Sequence, residues 1–369
     1  MKIAHIVPMI YTPGELNYSQ FIRGGIGADY HQGPIFYQFP NGDVIVHWHA
    51  YDYKETSDNA VRLYSVSRDH GLTWSDPQVF MADYSVGQVS DLLMLPLQKS
   101  DNVLMIFKST NYIKVEEGKY TRGRTHLFIR RSFDGGRTFE YGDELPYRLM
   151  TGGWALPEIG FYGTISELIQ LQNGCIVAVF YFRDPARDGE HYTAACLLSE
   201  DGGYTWKRSG EITVDTPRGV MEPQMVETEP NRLFCLFRTK GGFVYQTVST
   251  GGGDTWSKPI PSSLASPESM VRMIKLQSGN LLAVWNNVSS VTQHPRHPLV
   301  AAVSRDGGGT WSKPHLIADE TGSNQLSNHG LIQLDDGRIL LGVSHYRAVY
   351  PNSSDLDMVI FDEKWLEDV

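Results

Sequence analysis

The chain has 369 residues, of which 41% are hydrophobic and 20% charged, and its formal net charge is −10. These proportions describe a globular protein with ample apolar side chains for a core. The acidic balance argues against a nucleic-acid backbone or an anionic membrane as partner, while leaving room for a local basic pocket.

The N-terminal MKIAHIVPMIYTPG carries one Lys and a short apolar run broken by His5 and Pro8. It has no small-residue cleavage pattern, so it reads as neither a signal peptide nor a membrane span. Location stays open between the cytoplasm and a trimmed secreted or periplasmic form. Six paired apolar runs follow in order: IFYQFPNGDVIVHWH, LLMLPLQKSDNVLMIFK, ELIQLQNGCIVAVFYF, MVETEPNRLFCLFR, MIKLQSGNLLAVWN and LIQLDDGRILLGVSH. Each is two strands joined by a tight turn rich in Asn, Gly and Asp, the signature of a β-hairpin. Helical periodicity is absent over any useful length. After five hairpins comes a third strand ending in Ser and a short box: SRDHGLTW at 67–74, SFDGGRTF at 132–139, SEDGGYTW at 199–206, STGGGDTW at 249–256 and SRDGGGTW at 304–311. The sixth hairpin is followed by DMVIFDEKWLEDV without a box.

A repeat at intervals of 50 to 67 residues in a β-rich chain means a propeller or a solenoid. The pattern predicts an all-β, six-bladed β-propeller of four-stranded antiparallel blades, one domain over residues 1–369. The N-terminal KIAHIVPMIY supplies the last blade's missing fourth strand and closes the ring. The boxes read as turns: Asp69, Asp134, Asp201 and Asp306 accept backbone N–H bonds, and Trp74, Trp206, Trp256, Trp311 and Phe139 pack between sheets. A calcium loop does not fit, because alternating carboxylates and a terminal Glu are missing and Gly251 replaces the Asp of the fourth box. Cys175, Cys196 and Cys235 lie in apolar runs without metal spacing and read as buried free thiols. Antiparallel alternation puts boxes and hairpin turns on one face. The long polar segments, among them STNYIKVEEGKYTRGRT and NNVSSVTQHPRHP, fall on the other, the expected functional face.

The Ser-x-Asp-x-Gly-x-Thr-Trp repeat resembles the Asp-box, or BNR repeat, of the sialidase (neuraminidase) superfamily. The resemblance implies a six-bladed propeller and a glycan site built from an arginine triad, an Asp acid/base, and a Tyr nucleophile assisted by a Glu. Asp58, in SDNAVRLYSVS, falls where the family has its loop Asp. Glu222 and Arg238, in VMEPQMVETEPNRLFCLFRT, fall on the assisting Glu and second Arg, and Arg296 is a looser match to the third Arg. The chain departs from the family at Gln32-Gly33-Pro34, where the first Arg of Arg-Ile-Pro is missing. The Tyr position falls near Asn328 and His329, and that of the Glu supporting the triad near Ser344 and His345.

Aligning the hairpins places Gln32, Asp91, Tyr162, Glu222, Arg272 and Asn328 on first strands around one mouth. His49, Lys108, Tyr181, Arg238, Asn286 and His345 join them from second strands. Taken singly these residues also have structural readings: Glu222 with Arg238 as a buried ion pair, Asp58 as a solvated loop acid, and His31, His49 and His329 as members of a polar network. The histidines lack metal-ligand spacing, so neither metal nor cofactor is expected. The leading expectation is an exo-acting glycoside hydrolase that removes a terminal sugar, acidic sugars included. Asp58 is its general acid/base, Glu222 its nucleophile or activating base, and His49 a further catalytic candidate. Arg238, Arg272 and Arg296 bind an anionic or hydroxyl group, with Gln32, His31, Tyr162, Asn286, Asn328, His329 and His345 around them; Trp48, Tyr162 and Trp154 provide ring-stacking walls. The alternatives are a uronate lyase using His31, His49, Tyr162 and Arg238, and a non-catalytic glycan-binding propeller. Carbohydrate is the expected partner in all three, and the oligomeric state is undetermined.

Overall fold

A computed structural model describes residues 6, 8–24, 28–51, 60–81, 88–116, 119–145, 149, 163–184, 191–348 and 353–367, with the backbone alone described at 88–90, 111–116 and 119–124. Among these residues the chain forms 24 strands and one short 3₁₀ helix, Glu363–Leu366. It divides into two compact units, Met1–Ala82 with Ser263–Val369, and Asp83–Ser262.

In the first unit the strands are β1 (Asn17–Ile22), β2 (Tyr30–Gln38), β3 (Val44–Tyr51), β4 (Val61–Ser67) and β5 (Gln78–Met81), then β18 to β24. The latter run Arg272–Lys275, Leu281–Asn286, Leu299–Ser304, His315–Ala318, Gln325–Gln333, Ile339–Arg347 and Ser353–Phe361. Strands β18–β21 make one four-stranded sheet, and β22-β23-β24-β2-β3-β4-β5, with β1 on β24, make an eight-stranded one. In the second unit β6 (Gln88–Pro96), β7 (Val103–Glu116), β8 (Lys119–Ser132) and β9 (Asp143–Glu144) form one sheet. Strands β10 (Gly163–Gln170), β11 (Ile176–Arg183), β12 (Tyr192–Ser199) and β13 (Lys207–Ile212) form the next. Strands β14 (Met221–Glu229), β15 (Arg232–Arg238) and β16 (Phe243–Ser249), with β17 (Ile260–Ala265), form the last.

Two expectations change. Six separate four-stranded sheets are not what the hydrogen bonds delineate: there are four, and a parallel pairing of Tyr30 with Ser354 joins the two remaining hairpin sets into the eight-stranded sheet. The strand added from the N-terminus is Asn17–Ile22, not KIAHIVPMIY, of which residues 2–5 and 7 lie outside the described residues. Side-chain chemistry accounts for the shift. Tyr18 and Gln20 donate to Asp357 and Asp355 of β24 at 2.7 and 2.8 Å, contacts that an apolar run containing Pro8 cannot supply. STNYIKVEEGKYTRGRT, read as a loop, instead continues the ladder through Tyr112↔Arg122 and Lys114↔Tyr120.

The hairpin turns obey their sequence. The N–H of Gly42, Gly174, Gly279 and Gly337 donates to the carbonyl three residues back. Each has φ between +86° and +91°, with nothing within 4 Å of where a Cβ would sit. Backbone angle, not crowding, therefore selects glycine there. Adjacent hairpins are tied by one repeated bond. A side-chain oxygen near the end of an inner strand accepts the backbone N–H of the neighbouring turn: Gln170 from Gln98 (2.6 Å), Glu227 from Gln172 (2.8 Å), Gln333 from Gln277 (2.7 Å) and Gln38 from Asp335 (2.8 Å).

The boxes are self-contained turns. Ser199 Oγ donates to Asp201 Oδ1 at 2.8 Å and accepts from Gly203 N at 2.8 Å, while Thr205 N and Oγ1 donate to Asp201 at 2.9 and 2.6 Å. The same bonds recur at Asp69, Asp134 and Asp306. Where Gly251 replaces the Asp, Ser249 Oγ still accepts from Gly251 N and Gly253 N, so the serine carries the turn alone. Trp74 and Trp256 pack against the cores beside their sheets. Cys196 and Cys235 are buried and Cys175 partly so; all three are free, and burial pushes the Cys196 thiol up to about 12.

Hydrogen bonds from Thr205 and Ser199 hold Asp201 down at about 2, against the usual 3.8. A carboxyl depressed in the folded state adds stability above its unfolded value and loses it as pH falls through the folded one. Asp201→Asn is therefore expected to lower Tm at neutral pH and to show a shallower fall in Tm than wild type between about pH 4 and pH 2. Thermal melts across that range provide the check.

Candidate functional site

The functional side chains are aimed by a repeated irregularity of the inner strands. In β2/β3 the ladder pairs Gln32 with His49 and then skips; β6/β7 does so after Ser90↔Lys108, β14/β15 after Met221↔Arg238, and β22/β23 after Ser327↔Ser344. The next residue in each is Gly33, Asp91, Glu222 or Asn328, and all four have left-handed φ, at +64°, +47°, +49° and +46°. A bulge re-aims the side chain at its centre. A left-handed Glu or Asp costs about 1 kcal/mol or more and is found where the surrounding structure enforces it.

Each unit uses the device differently. In the second unit Glu222 receives both its bonds from Arg238 Nη1, at 3.2 and 3.1 Å, with the arginine nearly buried and the carboxylate about a quarter exposed. Asp91 pairs with Lys108 in the same register and also accepts from Thr164 Oγ1 at 2.8 Å. On β10 between them, Ser166 Oγ donates to Pro223 O at 2.8 Å, so one strand touches both carboxylate-bearing bulges. In the first unit the bulges close on each other: Gly33 N donates to Ser344 Oγ at 2.9 Å, and Ser344 Oγ to Asn328 O at 3.1 Å.

The other expected residues divide by accessibility. His31 is buried, its Nδ1 accepts from Trp48 Nε1 at 3.0 Å, and desolvation pulls it down to about 4. Trp48 is wholly buried, which removes it as a stacking wall. His329 is also wholly buried against Val284 O at 3.0 Å and pushed down to about 3 by the same cause, so it packs rather than faces a ligand. Arg272 Nε donates to His329 O at 2.9 Å, Asn286 Nδ2 to Leu326 O at 2.9 Å, and Arg296 Nη2 to Glu268 O at 3.2 Å; these bonds tie β18, β19 and the segment after β19 to their surroundings. Gln32 is one residue early, since Gly33 holds the bulge, and it is buried opposite His49. His345 is one residue late: Ser344 holds the position beside the bulge, and a one-residue step along a strand reverses the face. His345 instead donates from Nδ1 to Asp357 at 2.7 Å and lies 2.6 Å by Nε2 from Glu320. Burial lowers its pKa, but the bond to Asp357 and that carboxylate's charge outweigh it, so the net shift is upward. Tyr181 pairs with Thr164 rather than at the bulge of β10, which falls after Ile165↔Phe180. Asp58, Trp154 and Tyr162 lie outside the described residues.

Sequence reading missed Arg62. It is wholly buried opposite His49 in the β3/β4 ladder and donates to both His47 and His49. Its only signal is an arginine inside the strand VRLYSVS, whose partner is visible once the register is known. No group of three or more His, Cys, Asp or Glu is placed to hold a metal among the described residues.

Blade-like four-stranded sheets with polar bulges on their inner strands define a class of all-β propellers. The chain belongs to the BNR repeat-like domain family, whose model matches residues 42–354, and so to the sialidase/BNR superfamily. A sialidase of Bacteroides fragilis is 26% identical over 282 residues, covering 70% of this chain and 49% of its own length, so the chain spans about half of that relative. A protein of unknown function from Dyadobacter fermentans superposes with a TM-score of 0.75 at 18% identity, covering 94% of this chain and 97% of its own. The intramolecular trans-sialidase of Ruminococcus gnavus, solved with oseltamivir carboxylate, gives 0.68 at 16% identity over 95% and 98%. Hadza microbial sialidase Hz136 gives 0.70 at 18% over 91% and 66%. At these identities the structural likeness shows the fold, an all-β propeller.

The bulge makes its own prediction. Glu222→Gly and Glu222→Ala both remove the carboxylate and differ in tolerance of φ +49°. The Gly variant is expected to be the more stable by about 1 kcal/mol, read as a difference in urea midpoints at unchanged slope.

Proposed function

We propose that this chain is an exo-acting glycoside hydrolase on a single propeller domain of sialidase type, cleaving a terminal sugar, acidic sugars included. Glu222 serves as nucleophile or as the base that activates one, and Asp58 as general acid/base. Arg238 binds an anionic or hydroxyl group of that sugar, with Arg272 and Arg296 as further candidates. Tyr162, Asn328 and His49 are further binding candidates.

The observation that carries this reading is the strained carboxylate. Glu222 holds a left-handed backbone angle at a strand bulge, keeps part of its surface open, and is bonded through both oxygens to a nearly buried arginine. A packing ion pair has no need of the unfavourable φ. The sialidases among the relatives and the family match from residue 42 to 354 support the substrate class and the single domain. By the resemblance drawn above, the family's Tyr position falls near Asn328 and His329, neither of which carries a phenol, and this supports Glu222 as the candidate for direct attack. The lyase alternative is weakened by geometry, since the basic nitrogens it needs on His31 and His49 are engaged by Trp48 and Arg62.

A panel of sialylated, uronate-bearing and neutral oligosaccharides, read for both released reducing sugar and the unsaturated-uronate chromophore, tests the reading. Release without the chromophore is expected, and Glu222→Gln is expected to cut it by roughly 10²–10⁴-fold. The chromophore would indicate lyase action; binding with neither product would indicate a glycan-binding module. Undiminished release by Glu222→Gln would remove Glu222 from the mechanism.

A further inference from the structure

His345 has a carboxylate at each ring nitrogen. From β23 its Nδ1 donates to Asp357 Oδ2 of β24 at 2.7 Å, and its Nε2 lies 2.6 Å from Glu320 Oε1, in the turn between β21 and β22. The second contact is off the hydrogen-bond axis, so it is an ion pair by distance rather than by alignment. A neutral imidazole has one N–H and one lone pair. With its Nδ1–H given to Asp357, a neutral ring would set that lone pair against the Glu320 carboxylate. Only the doubly protonated ring attracts both acids. The ring is nearly buried and Glu320 about a fifth exposed, so solvent screens the pair only in part.

The charges around the ring favour the same state. Among the described residues, the carboxylates of Glu320, Asp355 and Asp357 are met by two cations, His345 and Arg347, the latter donating from Nε to Asp355 at 2.7 Å. From β1, Tyr18 donates to the same Asp357 oxygen at 2.7 Å; burial and that carboxylate push its phenol upward, so it stays a neutral donor. Discharging His345 would leave Arg347 alone against three acids. Burial raises Glu320, but the bond from Asn324 and the His345 charge outweigh it, so its net shift is downward and the proton belongs to the ring. Glu320 also fastens its turn. Its Oε2 accepts from Asn324 Nδ2 at 3.0 Å, and Asn324 Oδ1 accepts the N–H of Ala348, just past β23, at 2.9 Å. Two residues beyond Asn324, in β22, Leu326 N donates to Arg296 O at 3.0 Å.

We propose that His345, as an imidazolium, is the pin of a proton-dependent clamp that fastens the Glu320–Asn324 turn to the end of β23 and so holds the entry of β22. The clamp is independent of the glycan reading above. When the proton leaves Nε2, Nδ1 keeps its bond to Asp357, Glu320 loses its attraction, and the turn loosens while Tyr18 still holds β1. A histidine raised by folding adds stability that is complete below its unfolded value and is lost as pH rises through the folded one. His345 is shifted upward, so the turn is tight at acidic pH and loosens on the alkaline side of the ordinary histidine value.

Nitrogen–proton NMR of the histidine rings in the full chain, followed from about pH 5 to about pH 9, reads the proton without any ligand. His345 is expected to carry both ring protons at the acidic end and to titrate with a midpoint above 6.5. Hydrogen exchange of the Ala348 and Leu326 amides, corrected for their intrinsic rates, reads the turn. Protection there is expected to fall roughly three- to tenfold as pH rises through the His345 midpoint. Glu320→Gln keeps the shape and removes the charge; it is expected to lower the His345 midpoint and to flatten the pH dependence of protection. A wild-type midpoint at or below 6.5 overturns the charged pin. Protection that stays level while His345 titrates overturns the clamp. Both readings come from the wild type, so they decide even if Glu320→Gln fails to fold.

Discussion

The single extra residue in four of the inner strands is the constraint on which the rest of the candidate site depends. An antiparallel ladder alternates its side chains strictly, so a regular inner strand would send every second residue into a sheet-to-sheet core. The bulge breaks the alternation at one point and turns one residue into a left-handed conformation. The cross-strand partner of the preceding residue then becomes the neighbour of the re-aimed one. Arg238 reaches Glu222, Lys108 reaches Asp91, and Ser344 bridges Gly33 and Asn328 by that one geometry. One backbone device, repeated, thus presents a carboxylate, an amide or no side chain, depending only on the residue placed there.

Around these positions the protein handles burial of polar groups in two ways. His31, His47 and His329 are kept neutral by desolvation, each with a ring nitrogen bonded to a neighbour. His345, by contrast, lies between Asp357 and Glu320, and those two carboxylates favour its charged form. Buried polarity of both kinds needs its partners placed to within a few tenths of an ångström. The rigid hairpins supply that placement: glycine turns set their ends, and side-chain oxygens stitch each to its neighbour.

Much of the architecture was readable before any coordinates. All six hairpins, five boxes and the all-β class follow from local signals, because turn chemistry and alternation act over a few residues. The pairing of Glu222 with Arg238 and of Asp91 with Lys108 follows the same hairpin spacing, since the turns act as a ruler for the strands that follow. The misses have one source. Gln32 for Gly33, His345 for Ser344, and Tyr181, which pairs with Thr164 away from its bulge, are errors of register, and a bulge shifts register without leaving a mark in composition. The joining strand was sought in KIAHIVPMIY by its apolarity, whereas Asn17–Ile22 is selected by its fit to Asp355 and Asp357, more than 300 residues away.

The sequence by itself determined the repeat, the strand content, the turns and the family, because each is encoded within one hairpin or one box. Tertiary structure alone decided which polar residues are open and which are packing. His329 and Trp48 look like site residues in the chain and are wholly buried in the fold, while Arg62 looks like an ordinary strand residue and sits between two histidines. The reason is physical. Exposure, ion pairing and tautomer depend on what a neighbouring strand brings within 3 Å, and adjacent strands in a sheet choose their register by packing the whole face rather than by any single residue.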